Sequence, residues 1–242
     1  MIMTKQTIQF YLGAHPWAEH ITVLDSVCST NTYLKELAGQ GAPHGSVVIA
    51  DHQSAGRGRL GRSFSSPKGK GLYLSVLLRQ KPELRLTPMV AEAVRRAILQ
   101  VSGLQTRIKW INDIVCGDKK LCGILTELSG DSVIVGIGIN CEGVPHEIAT
   151  SLAQQGYAVD RRKLAAAVID MVSQMSADWM DSYKAHCLTI GQGVQLIQND
   201  TVRYAHADDM DEDGALLVTL ADGSKERIFS GEVSVRGMYG YV

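Results

Sequence analysis

Apolar positions divide the 242-residue chain into two regimes. Through about residue 190, strand-length apolar runs alternate with stretches whose apolar residues recur every three or four positions, the spacing of one helix face. Ile21 to Val27 reads as a strand. Cys28-Ser29-Thr30-Asn31 then supplies capping residues before Tyr33, Leu34, Leu37 and Ala38 at helical spacing, and Gly39 to Gly45 ends that helix. Strands are predicted at 46–51 and 71–79. A second helix opens at Thr87-Pro88, with Thr as N-cap, and buries Val90, Ala93, Val94, Ala97, Ile98 and Val101. Thr106 to Trp110, Cys122 to Leu128 and Ser132 to Ile139 are short, apolar and rich in β-branched residues, as covered strands are. Asp160 caps a long helix predicted over Arg161 to Ala185, whose stripe of Leu164, Val168, Met171, Val172, Met175 and Trp179 reads as core.

From Gly191 the texture changes. Val194 to Ile197, Val202 to Ala207, Ala215 to Leu220, Lys225 to Phe229 and Val233 to Val235 are closely spaced strands, with Asp213-Gly214 and Asp222-Gly223 as tight-turn signals. The pattern predicts a small β-barrel, over 191–242, packed on a larger domain of residues 1–190.

Charge narrows the function classes. With 24 basic against 25 acidic residues there is no broad affinity for nucleic acid. No apolar run approaches a membrane span, and the N-terminus lacks the pattern of a signal peptide, so a cytoplasmic protein is expected. Five cysteines without a C-x-x-C pair read as reduced thiols, and seven scattered histidines predict no protein-held metal.

The local exception to the charge balance is Gly56-Arg57-Gly58-Arg59-Leu60-Gly61-Arg62, three permanent cations on a loop able to wrap an anion. The stretch satisfies G-x-G-x-x-G and follows a strand, yet turn residues from Ser63 to Gly71 and another strand come next. A dinucleotide-binding loop would open a helix there. The chemistry is instead that of a phosphate or acyl-phosphate site on a long connection between strands.

Read with that loop, Ser29-Thr30-Asn31, Lys109-Trp110-Ile111-Asn112-Asp113, Lys119 to Glu127 and Gly136-Ile137-Gly138-Ile139-Asn140 resemble the biotin protein ligases in order and spacing. Gly231 to Arg236 also looks like that family's C-terminal barrel. The resemblance implies an α+β fold, a mixed β-sheet with flanking helices of the class II aminoacyl-tRNA synthetase type plus a small C-terminal SH3-like β-barrel. It implies activation of biotin by ATP to biotinyl-5′-AMP, with Mg²⁺ carried by the triphosphate, and transfer to a lysine on a biotin carboxyl carrier domain.

By residue, the resemblance makes Lys120, Arg59 and Asp113 catalytic. Ser29, Thr30, Gln53, Arg57, Lys120, Gly123, Leu125, Gly136 and Gly138 would bind biotin, the glycines leaving room for ligand. Arg57, Arg59, Arg62, Phe64, Asn112 and Asn140 would bind ATP. Two positions depart from the family pattern: Phe64 replaces its usual Trp and Ile111 its usual Pro. The twenty residues before Ile21 are too few for the DNA-binding module that some members carry, so the enzyme-only type, without DNA, is expected. Rival readings are a lipoate protein ligase and a non-catalytic biotin or nucleotide sensor. An exposed strand edge near Ser132 to Ile139 is expected to suit a second subunit or the acceptor. The loop from Gly56 to Gly69 is expected to order over the adenylate and shield it from water.

Overall fold

The computed structural model describes residues 3–143, 147–175, 178–198, 201–229 and 234–237, the last four as backbone. Helix α1 (Lys5–Leu12), not among the predicted elements, opens on a capping box between Thr4 and Thr7. Strand β1 (Ile21–Val27), helix α2 (Thr30–Gly39) and strand β2 (Val47–Gln53) form a crossover that pairs β1 with β2 in parallel. Strand β3 (Gly71–Leu78), helix α3 (Leu86–Ser102), then β4 (Arg107–Lys109), β5 (Asp113–Cys116), β6 (Lys119–Ser129) and β7 (Ser132–Asn140) follow. The seven strands lie in the order β1-β2-β3-β7-β6-β5-β4, and every pair after the first is antiparallel. Helices α4 (Arg161–Ser173) and α5 (Trp179–His186) precede a second, antiparallel sheet, order β11-β10-β9-β8-β12, built from β8 (Gly193–Gln198), β9 (Thr201–Met210), β10 (Leu216–Leu220), β11 (Lys225–Ile228) and β12 (Ser234–Gly237).

Alternation along the central strands sets the two faces. Val133, Val135, Ile137 and Ile139 of β7 join the main core with α3 and α4, while Ile134 packs with Leu34 and Ala38 of α2 on the other side. Gly136 and Gly138 share the α2 face with Ile134, opposite Leu125 and Gly123 of β6. The fold thus leaves a shallow, side-chain-poor floor beside α2.

Several sequence expectations need correction. The strand at Ser132 to Ile139 is no edge: β7 pairs with β3 on one side and β6 on the other. The helix predicted over 161–185 ends at Ser173 and resumes at Trp179. At its end Ser173 Oγ donates to the Asp170 carbonyl at 2.8 Å and Gln174 Nε2 to the Asp170 carboxylate at 2.6 Å, local bonds that compete with continued helix. Thr87 is not the cap of α3, which begins at Leu86 after Arg85; the Thr87 hydroxyl instead meets Thr126 Oγ1 at 2.9 Å. The strand predicted over Thr106 to Trp110 is only Arg107–Lys109. Trp110 to Asn112 turn the chain, with a cis Trp110–Ile111 peptide, and Asp113 opens β5 directly opposite Lys109. Of the C-terminal motif, residues 231–233 lie outside the described residues.

The second sheet is fastened to that turn. Trp110 Nε1 donates to the Gly214 carbonyl at 3.1 Å, and the Trp110 amide to Thr189 Oγ1 at 3.0 Å. Gly214 has φ of 86°, and a β-carbon there would come within 3.0 Å of Pro88 Cγ and 3.4 Å of Arg85 Cα. Gly214→Ala is therefore expected to cost about 1–3 kcal/mol, read as a lower denaturant midpoint. An unchanged midpoint would mean that the β9–β10 turn is not held as tightly as this contact requires.

Candidate active site

The arginine loop runs from β2 back to β3 as a folded hairpin. Phe64 N donates to Gly56 O at 2.8 Å and Gly58 N to Arg62 O at 2.7 Å, with Leu60 exposed at the tip in a left-handed conformation, φ 54°. Its return limb is pinned to the sheet. Gln53 Nε2 donates to Ser66 Oγ at 2.8 Å, and Gly56 lets the limb approach, since a β-carbon there would lie 2.3 Å from Phe64 O. No helix follows the glycines, so the dinucleotide reading fails in structure as in sequence.

Beneath the hairpin lies a cleft with about 460 Å³ of empty space, part of it open to solvent. Ser29, Thr30, Gln53, Arg57, Arg59, Phe64, Asn112, Lys120, Gly123, Leu125, Gly136 and Gly138, all singled out in the sequence, line it together. Asp113 joins through its contact with Lys120. Arg62 lies on the exposed side of the loop, outside that lining. Asn140 is also outside; its side chain donates to Thr150 O at 3.0 Å and ties β7 to the segment covering the start of β6.

One end of the cleft is a chain of charged and amide groups. Lys120 Nζ sits 2.7 Å from Asp113 Oδ1, Asn112 Nδ2 donates to the same oxygen at 3.1 Å, and Arg59 Nη1 donates to Asn112 Oδ1 at 2.8 Å. Asn112 is held in turn by a bond to Ile124 O at 2.9 Å. Burial pulls the Arg59 guanidinium below its ordinary pKa, with Asp113 opposing and Arg62 adding to the fall. An arginine so shifted still carries its charge at neutral pH. Two cations are thus presented at one end, fixed through one carboxylate and one amide.

The other end is built of amides and hydroxyls, with the Arg57–Glu127 ion pair next to Asn31. Gln53 Oε1 accepts from the Thr30 amide at 2.9 Å and the Thr30 hydroxyl at 3.0 Å. Ser29 caps α2, its hydroxyl accepting from Thr32 N at 3.5 Å, and lines the cleft as well. A polar ring with both donors and acceptors finds complementary groups here.

The glycines act more locally than the sequence reading implied. A β-carbon at Gly136 would stand 2.4 Å from Asn31 Oδ1, and one at Gly138 2.4 Å from the Phe64 ring. At Gly123 it would stand 3.0 Å from Lys120 Nζ and 3.4 Å from Phe64. Each glycine therefore makes room first for a site side chain. Phe64 meets Tyr73 edge-on, ring centroids 6.4 Å apart. Asn31 and Glu127 fall inside the motif stretches Ser29-Thr30-Asn31 and Lys119 to Glu127, but the sequence assigns neither a role in the site. Asn31 in fact lines the cleft, and its Nδ2 donates to Glu127 Oε2 at 2.7 Å.

Residues 23–143 match the biotin/lipoate A/B protein ligase family, and residues 189–236 match the biotin protein ligase C-terminal domain. The chain belongs to the biotin/lipoate A/B protein ligase family. Among its relatives is the bifunctional ligase/repressor BirA of Bacillus subtilis, 33% identical over 96% of this chain and 79% of that protein. The biotin–[acetyl-CoA-carboxylase] ligase of Mycobacterium tuberculosis is 31% identical over 92% and 91%. In structure, the chain is similar to the biotin protein ligase from Aquifex aeolicus in complex with biotin and ATP, with a TM-score of 0.80 and 32% identity over 90% of this chain and 98% of that one. The mixed sheet with flanking helices and the antiparallel C-terminal sheet are thus those of the biotin ligases, and the cleft lies on the face of the ligase sheet that carries α2. Among the described residues no helix is long and apolar enough to cross a membrane.

Proposed function

We propose that this biotin ligase joins biotin to ATP in the cleft and passes the acyl group to one lysine on the carrier domain of a biotin-dependent carboxylase, in the cytoplasm where ATP is supplied. Residues 1–190 would carry both steps and 191–242 the docked C-terminal module. The observation that carries the assignment of roles is the chain Lys120–Asp113–Asn112–Arg59 facing the neutral Thr30–Gln53 end across a floor of glycines. Such a cleft is polarised, with cations at one end and ring-recognising groups at the other.

In the first step a biotin carboxylate oxygen attacks the α-phosphorus, a P–O bond forms, and pyrophosphate leaves. The approach sets anion against anion, so fixed cations that need not reorganise lower the barrier. Lys120 and Arg59 supply them, with Arg57 and Arg62 on the hairpin serving the remaining phosphates. Mg²⁺ carried with the triphosphate would supply further neutralising charge. Phe64 and Asn112 would bound the nucleotide, with Asn140 supporting from behind. Ser29, Thr30 and Gln53 bind the ureido end of biotin, over a floor kept open by Gly123, Leu125, Gly136 and Gly138.

In the second step the acceptor amine attacks the acyl carbon, the C–O bond to phosphate breaks, and AMP departs. A lysine ammonium with ordinary pKa near 10.4 must first lose a proton. Asp113, which opens β5 opposite Lys109, would orient it and take that proton, which then passes to solvent.

The test is ATP–pyrophosphate exchange with Mg²⁺ and biotin, lipoate or no acid. Exchange with biotin alone is the expected result. Exchange with lipoate would transfer the substrate to the rival ligase class, and no exchange with either acid would overturn the adenylation reading.

A further inference from the structure

Glu127 lies on the site face of β6, two residues beyond Leu125, and its side chain is only 13% exposed. One carboxylate oxygen accepts from Asn31 Nδ2 at 2.7 Å; the other takes Lys35 Nζ of α2 at 3.0 Å and the Arg57 guanidinium of the hairpin. Burial pushes the Glu127 carboxyl up, but the bonds from Asn31 and Lys35 and the charges of Lys35 and Arg57 outweigh it and leave the group ionised. Behind Asn31 the polar chain continues inward. Ser75 Oγ is 2.5 Å from Asn31 Oδ1 and 2.7 Å from Thr30 Oγ1, and Thr30 in turn holds Gln53.

Glu127 therefore touches both halves of the site without lining the cleft. We infer that Glu127 is a positioning residue for adenylation: through Asn31 it fixes the ring-recognising end, and through Arg57 it holds the arginine hairpin over that end. The inference rests on the biotin ligase reading above. Lys35 has a part as well, since a second cation on the same oxygen keeps Glu127 ionised and oriented when Arg57 swings towards a phosphate.

The two contacts separate in two variants. Glu127→Gln keeps an oxygen for Asn31 but removes the charge that holds Arg57. Glu127→Ala removes both. In Glu127→Gln, amide exchange in residues 56–64 is expected to accelerate, and the KM for ATP in biotin-dependent exchange to rise about two- to fivefold, the size of a half-exposed ion pair. The biotin Kd stays within about twofold, and the difference from the parent chain narrows as salt is raised. Glu127→Ala adds a rise in biotin Kd of about tenfold, as a buried amide loses its acceptor. The inference is overturned if Glu127→Gln leaves hairpin exchange and the ATP KM unchanged. It is equally overturned if both variants weaken biotin alike, or if thermal midpoint, Kd and KM shift in parallel, which would mark a purely structural residue. The unsubstituted chain in the same assay keeps the two readings apart: absence of biotin-dependent exchange there counts against the ligase roles and not against Glu127.

Discussion

Lys120→Ala is expected to slow biotin-dependent pyrophosphate exchange by about 10²–10³-fold, the range for removing one preorganised charge from a transition state, while biotin Kd rises less than about tenfold. The asymmetry follows from where the ammonium sits. Lys120 Nζ is 2.7 Å from Asp113 and beside the Gly123 floor, at the charged end of the cleft and away from the Thr30–Gln53 end. On the proposed reading the substrate ring binds at that other end, so ground-state affinity loses little. The transition state loses a cation and faces Asp113, whose negative charge then opposes the incoming carboxylate and phosphate. Lys120→Arg restores charge without the same geometry and is expected to recover only part of the rate. Rate and affinity falling together would assign Lys120 to uniform binding.

Gly136→Ala carries the second large effect, by a different route. The added methyl would stand 2.4 Å from Asn31 Oδ1 and 3.0 Å from two further atoms of the same amide. Asn31 has little freedom to yield, being buried and bonded to Ser75, Glu127 and the Leu125 carbonyl. Overpacking of this kind costs about 1–3 kcal/mol, and displacing Asn31 disturbs Thr30 through Ser75. A biotin affinity at least about tenfold lower is expected, since a misplaced polar partner leaves buried groups unpaired. Gly138→Ala makes a useful contrast. Its clash, also 2.4 Å, is with the Phe64 ring on the hairpin and not with Asn31. It is expected to impair nucleotide use more than stability. Calorimetric titration with biotin and a thermal melt of both variants decide the matter. Gly136→Ala with unaltered biotin affinity would remove Asn31 from the recognition chain.

Much of this architecture was legible from period and motif. The apolar runs at β1, β2, β3, β6 and β7, the crossover helix α2 and the strand-rich C-terminal segment are all visible in sequence, because strands covered on a face carry a strong local signal. What escaped were features settled by tertiary partners. Apolar spacing continues from Val172 to Trp179, so nothing in it reveals that Ser173 and Gln174 turn their side chains onto Asp170 and end α4. Four-residue β5 is too short to show a period, and the Asn112-Asp113 pair at its start looks like a turn. The order of strands is not local information at all, which is why β7 was mistaken for an edge. In the site, the charged motif residues were visible as such, whereas Asn31 and Glu127 matter through each other, across 96 positions of sequence.

Strand β7 writes structure and chemistry on opposite sides of one ribbon. Its odd positions, Val133 to Ile139, are large and belong to the core, while Gly136 and Gly138 on the even side form the floor of the cleft. A single-residue insertion near Ser132 would therefore do more than shift a strand: it would thrust Val and Ile into the substrate cavity and sink two glycines into the core. Such a chain has no intermediate phenotype open to it along this strand. Odd changes of length there would abolish folding and catalysis in one event, because one register sets both faces.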